Sequence, residues 1–312
     1  MKKIIDFNNQ VIKIWLLTYV VVLFIPLAVN YFLFIETKGI IDEEIENSRA
    51  ALIEGMKKEI DEELFLLKQT NVLMGQDTKT LALVSDDRKD LLKTKKFSII
   101  KYLESIRNVV GNFKGKLILL HLGHSDSVLF NDTYSEGAFF YEYYLSKETY
   151  PDYGSWLNLI EGKYKNDYFK INIKTRMGEV ENYIAYGSSL PFGSLENTSA
   201  TLLTLINQKD LLGILNQYKL SEESLVFIMD DKNRIVVSTT KESGLESLEY
   251  DDLSTDGYSR FGQRKGEETV ILVAESDQLS WKYVVVSDKD VYMENNNRYK
   301  KVVVISVLLY IA

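Results

Sequence analysis

The sequence predicts an α+β protein in which one long N-terminal helix carries two antiparallel-sheet modules between two membrane helices. Three observations predict it. Uncharged apolar runs lie at both ends of the 312 residues. A helical spacing of apolar residues follows the first run, over 37–74. From residue 116 onward that spacing gives way to short aliphatic runs separated by turn residues.

The first run, Ile14 to Ile35, is 22 residues without a charge, and 15 of them are Leu, Ile, Phe or Val. At about 0.3–0.6 kcal/mol each, these residues favour insertion by several kcal/mol. At 1.5 Å per residue the run matches a hydrocarbon core of about 30 Å. Lys2, Lys3 and Lys13 precede it against Asp6 alone. The positive-inside bias therefore places residues 1–13 in the cytoplasm and everything after the 14–35 helix outside. The run is too long for a signal peptide, and no small-x-small cleavage site follows it, so it reads as an uncleaved anchor.

The last run, VVVISVLLYIA at 302–312, is too short to span and reads as the start of a second membrane helix cut off midway. Outside Lys2, Lys3, Lys13 and Asp6 the chain carries 34 basic and 44 acidic residues, a net charge of −10. That balance argues against nucleic-acid contact by this region. The layout is that of an extracytoplasmic sensor at 36–301, in contact with the lipid bilayer and anchored in the cell membrane.

Over 36–76 apolar residues recur at Ile41, Ile45, Leu52, Met56, Ile60, Leu64, Leu67 and Met74, with Ser48 and Asn71 on the same stripe. Such a rod cannot bury its stripe alone, so it needs a sheet, a second copy of itself, or both, and a homodimer is expected. Short helices are expected through 77–114, among them one from Ser98. Lys116–Leu122 and Ser127–Phe130 read as a hairpin joined through Gly123-His124-Ser125-Asp126, followed by a polar loop over Asn131–Gly137. Next comes an aromatic loop, FFYEYYLSKETYPDYGSW from Phe139 to Trp156, with Leu157–Ile160 continuing as a helix. Strands are expected at Asn182–Leu190 and Ala200–Ile206, then a helix at Asp210–Tyr218. The remaining strands are Leu225–Met229, Ile235–Thr239, Glu268–Glu275 and Trp281–Ser287. These divide into modules at 77–207 and 208–290, with a connector at 291–301.

The chemistry-bearing motifs are few. The chain has no Cys, which removes disulfides and thiolate chemistry. His121 and His124 lack an HExxH context and read as ordinary residues, and no phosphate-cradling loop or nucleophile elbow occurs. No cofactor and no enzymatic activity are expected. The aromatic segment is the candidate for recognition: Tyr141, Tyr143, Tyr144, Tyr153 and Trp156 offer flat apolar surface with hydrogen-bonding groups, and Asp152 a charge for an amine-bearing ligand. A tethered hydrolase would need a nucleophile–base pair that the sequence does not show. A scaffold would need an exposed aromatic face rather than an enclosed one.

Three stretches carry a family resemblance: the anchor LLTYVVVLFIPLAV, the strand pair KLILLHLGHSDSVLF, and the region from LVFIMDDKNRIVVST to QLSWKYVVVSDKDVY. With them the chain resembles the N-terminal part of membrane-bound bacterial regulators with a double Cache sensor domain, particularly those of Firmicutes. The resemblance implies two PAS-like modules, the one distal from the membrane binding a small molecule or responding to an extracytoplasmic partner protein. It also implies a cytoplasmic output beyond this region: an AraC-type DNA-binding domain first, a histidine kinase or chemoreceptor tail otherwise. Members that bind amino acids carry an R-x-W in the distal module. Here Trp156 follows Gly154-Ser155 instead, so the resemblance does not name the ligand.

Overall fold

The computed structural model describes residues 2–85, 101, 116–131, 133–162, 164–175, 177–192, 198–240, 260–264, 267–288, 301 and 305. The short helices expected over 86–114, the connector and the second apolar run lie outside these, save for isolated positions.

Helix α1 runs without interruption from Lys2 to Gln76 and continues through Pro26. At 75 residues it is about 110 Å long. Its N-terminal part contains a stretch long and apolar enough to cross a membrane, and none of that stretch is buried inside the protein. Further along, Ile53, Met56, Ile60, Leu64, Leu67 and Met74 are buried. The expected stripe holds from Met56 onward. Before it, Ile53 is fully buried, Leu52 packs half-buried against the same core, and Ser48 faces solvent. Asp77 ends the rod and caps helix α2, Thr78–Val84, by accepting from the Lys79 and Thr80 amides.

Six antiparallel strands form the first sheet: β1 (Leu117–Leu122), β2 (Ser127–Phe130), β3 (Thr133–Glu136), β4 (Lys165–Lys174), β5 (Val180–Leu190) and β6 (Ala200–Asn207), in the order β3-β2-β1-β6-β5-β4. Five form the second: β7 (Leu225–Met229), β8 (Ile235–Ser238), β9 (Arg260–Arg264), β10 (Glu267–Glu275) and β11 (Lys282–Asp288), in the order β8-β7-β11-β10-β9. Helix α5, Gln208–Gln217, joins the two sheets and is capped by Asn207.

Two expectations need correction. Asn131–Gly137 is not loop throughout: Asn131 takes a positive φ of 53° and turns the chain into β3, which pairs Tyr134 with Leu129. An edge strand with one solvated side carries polar residues, so its hydrophobic signal is weak. The aromatic segment is likewise not loop throughout: two short helices, α3 (Gly137–Tyr144) and α4 (Tyr153–Ile160), flank a non-helical stretch over 145–152. Strands β4 and β9 were not foreseen; both are charged edge strands, as sheet edges commonly are.

Side chains alternate across each sheet. On the first, Ile118, Leu120 and Leu122 turn toward α1 and α2, while Leu119 turns to the opposite face, beneath α3 and α4. On the second, Tyr283 and Val285 face α1, and Val284 and Val286 face away. One core runs from α1 through Ile184, Tyr186 and Ile206 of the first sheet to Val226, Leu272 and Tyr283 of the second. The rod therefore holds both sheets. Asn71 donates to the Tyr186 and Leu202 carbonyls, 3.0 and 3.1 Å away. Asp61 accepts from Ser276 Oγ, the Asp277 amide and the Tyr283 hydroxyl, at 2.5, 2.9 and 2.5 Å.

Candidate functional site

The face of the first sheet turned away from α1 is lined by Leu119, Val128, Phe130, Ile171, Ile173 and Leu203, and α3 and α4 cover it. Why these helices form here is legible locally. Asp152 caps α4 by accepting from the Ser155 amide at 2.7 Å. Gly137 opens α3 directly against the β1–β2 turn, and its amide donates to the Asp126 carbonyl at 2.7 Å. A Cβ at Gly137 would collide with Asp126 Oδ1 and the Tyr153 hydroxyl, so any larger residue displaces one of them.

The six candidate residues separate on this scaffold. Trp156 is wholly buried at the centre, its ring 5.6 Å from Phe140 and 6.0 Å from Tyr150. Tyr141 is buried and donates to the Tyr150 carbonyl at 3.0 Å. Tyr144 is half-buried, stacks on Phe140 at 5.1 Å and meets the edge of Phe130 at 5.6 Å. Tyr153 is half-buried and donates to the Asp126 carboxylate. The other two are not brought in. Tyr143 is 59% exposed and stacks on Phe139 at 4.2 Å on the outer side of α3, while Asp152 is exposed and occupied with capping.

Under the lid, Tyr144, Phe130, Ile173, Thr175 and Tyr183 border a cavity of about 170 Å³. Of the six candidates Tyr144 alone lines it; the Trp156 indole N–H, packed among Phe140 and Tyr150, is fully buried and has no acceptor among the described residues. A buried donor left unpaired costs about 1–3 kcal/mol, which a tightly packed aromatic core has no structural reason to bear. The cavity can therefore receive a small apolar body against Phe130, Tyr144 and Tyr183.

The residues that sequence reasoning missed lie at the upper edge. His121, buried on β1, has Nε2 3.2 Å from Asp126 Oδ1. Burial pushes its imidazole below the ordinary value, against the opposing pull of Asp126. Tyr153 is pushed well up, first by burial and then by its bond to the same carboxylate. Asp126 sits at φ 45° with its backbone holding α3 and its side chain holding α4. The only sequence signal for it was its place in the Gly123–Asp126 turn, where Asp tolerates the left-handed region.

No protein-family model and no curated protein matches the chain. Among solved structures, it is similar to the ligand-binding domain of the Campylobacter jejuni chemoreceptor Tlp3 in complex with 4-methylisoleucine. The identity is 13%, over 80% of this chain and 93% of that one, with a TM-score of 0.50. The fold is that of a chemoreceptor sensory domain of the Cache type. The Pseudomonas aeruginosa chemoreceptor PctB ligand-binding domain with L-Arg also matches, at 12% identity over 80% of this chain and 97% of that one, with a TM-score of 0.42. In this Cache fold the two sheets are the two PAS-like modules, and the aromatic lid belongs to the one further from the apolar segment of α1.

Proposed function

We propose that the chain is the extracytoplasmic ligand-sensing region of a transmembrane signal-transduction receptor. Residues 1–13 lie in the cytoplasm, 14–35 cross the membrane, and 36–301 lie outside as a distal module at 77–207, a proximal module at 208–290 and a connector. The site is the lidded face of the distal sheet, with Tyr141, Tyr144, Tyr153 and Trp156 as its recognition residues. The observation that carries this reading is the cavity bordered by Phe130, Tyr144 and Tyr183 at the aromatic lid, whose core holds the unpaired indole N–H of Trp156, on a fold that serves elsewhere as a sensor. The solved Tlp3 domain holds 4-methylisoleucine, which supports a small molecule of that size.

The receptor works as a homodimer, and its output lies beyond this region. A chemoreceptor-type signalling tail fits the solved neighbour, while the likeness of the anchor to AraC-type regulators favours a DNA-binding output as the second reading. Neither reading asks this region to catalyse a reaction.

The test is thermal stability of the full chain in lipid nanodiscs against amino acids, amines, carboxylates and nucleobases. A ligand at a hundred times its Kd stabilises the folded form by about 2.7 kcal/mol, and Tyr144→Ala should abolish the gain. If no compound raises the melting temperature, or Tyr144→Ala leaves the gain intact, the site is not where we place it.

A further inference from the structure

A second cavity lies where the two sheets meet. Edge strand β4 and edge strand β8 face each other across a cleft of about 270 Å³, walled by Tyr168, Phe169, Ile184, Val236 and Trp281. No backbone ladder joins the sheets here. Two side-chain bonds cross instead: Lys170 Nζ donates to the Ile235 carbonyl at 2.5 Å and Gln208 Nε2 to the Val236 carbonyl at 3.0 Å.

The rim contains Lys170, Arg234, Asp230 and Asp231, with no net charge. What distinguishes these groups is whether their bonds are already spent. Asp230 accepts from the Lys232 and Arg234 amides and from Arg234 Nε and Nη2. That pairing uses the Arg234 guanidinium as well, and Lys170 is engaged with Ile235. Asp231 lines the cleft, is exposed, and makes no hydrogen bond or ion pair among the described residues. An unspent carboxylate acceptor beside the Tyr168 and Trp281 rings suits a cation or an N–H donor carried on an apolar ring. A carboxylate carried next to the ammonium would be brought against Asp231 itself, a like charge. An apolar cavity of about 150 Å³ holds a benzene ring, so 270 Å³ leaves room for a ring and a short alkylamine.

From this we infer that the inter-sheet cleft binds a small arylalkylamine, its ring against Tyr168 and Trp281 and its ammonium on Asp231. A ligand there touches both modules at once, so it would act on their relative placement independently of the lidded site.

The experiment is calorimetric titration of the full chain in nanodiscs with phenethylamine, and with phenylalanine as the same ring and amine plus a carboxylate. The expected result is binding of phenethylamine, at least about tenfold weaker binding of phenylalanine, and at least about tenfold weakening by Asp231→Asn, the loss of one charge-assisted bond. Asp231 sits on an exposed turn, and an unchanged melting temperature verifies that the variant folds. Three results would overturn the inference: no heat at millimolar phenethylamine, equal affinity of Asp231→Asn, or weakening by Asp152→Asn instead. The last would move the amine to the lid.

Discussion

Replacing Trp156 by Phe tests whether the lid is built for packing or for a ligand. The change removes the buried N–H and the atoms of the five-membered ring while keeping a six-membered ring among Phe140 and Tyr150. The lost apolar contact amounts to two or three carbon equivalents at about 0.8 kcal/mol each, a loss of about 2 kcal/mol. Against it stands relief of the unpaired donor, about 1–3 kcal/mol. The two offset each other, so Trp156→Phe should leave stability within about 1 kcal/mol of the parent. Trp156→Ala has no such compensation and should cost about 3–5 kcal/mol. Urea unfolding of the full chain, followed by circular dichroism, measures both. If Trp156→Phe costs as much as Trp156→Ala, the indole N–H has a partner, such as a bound water, and the case for a donor held in reserve collapses.

Three other outcomes follow from the same geometry. His121 is held below its ordinary value of 6.5 by burial. The unfolded imidazole takes up a proton below about 6.5 while the folded one resists, so stability should be flat above that pH and fall as the pH drops below it. Comparing urea midpoints at pH 7.5 and 5.5 reads this loss, and His121→Phe should shrink it; an unchanged pH dependence would mean His121 is not its source. Gly137→Ala forces Asp126 or Tyr153 to move and should cost about 1–3 kcal/mol, with Trp156 emission shifting as the lid loosens. A neutral melting temperature and an unshifted spectrum would count against the lid's attachment at Asp126. Asp61→Ala strips the acceptor from Ser276, Asp277 and Tyr283 and should speed amide exchange in the turn at 276–280.

The long helix and the paired aliphatic strands were legible because each rests on a pattern of many residues. Met56, Ile60, Leu64 and Leu67 announce the buried side of α1 by period alone. Asn71 stood on that stripe as an apparent defect, and only the fold shows why: it reaches two strand carbonyls that no apolar residue could satisfy. Edge strands β3, β4 and β9 escaped notice because polar and charged side chains dominate them, whereas the aliphatic edge strand β8 was foreseen. The lid helices escaped for a different reason. Eight-residue helices are too short to show a period, and their aromatic content reads equally well as strand or loop. Asp126 was illegible in principle, since its partners at 121, 137 and 153 meet only after the sheet has formed.

How α1 is held limits how a signal could travel along it. Toward the first sheet its Leu64 and Leu67 carbonyls accept from Tyr168 and Thr204, and Asn71 donates to β5 and β6. Toward the second sheet it is held by Asp61, with Lys57 paired to Asp277 at 2.8 Å. A ligand that favours one state tenfold supplies about 1.4 kcal/mol. Each bond to a buried carboxylate contributes about 1.5–3 kcal/mol, so three at Asp61 exceed what such a ligand can supply. Binding would not unclasp the rod from the second sheet; it would shift rod and sheet together, leaving the inter-sheet cleft and the lid as the places that yield. Asp61→Ala separates these cases. If exchange rises at 276–280 while the amides of β5 and β6 near Asn71 stay protected, the two attachments are independent. Equal loss of protection at both would mean that α1 and the two sheets unlock as one unit, and the assignment of motion to the cleft and lid would fail.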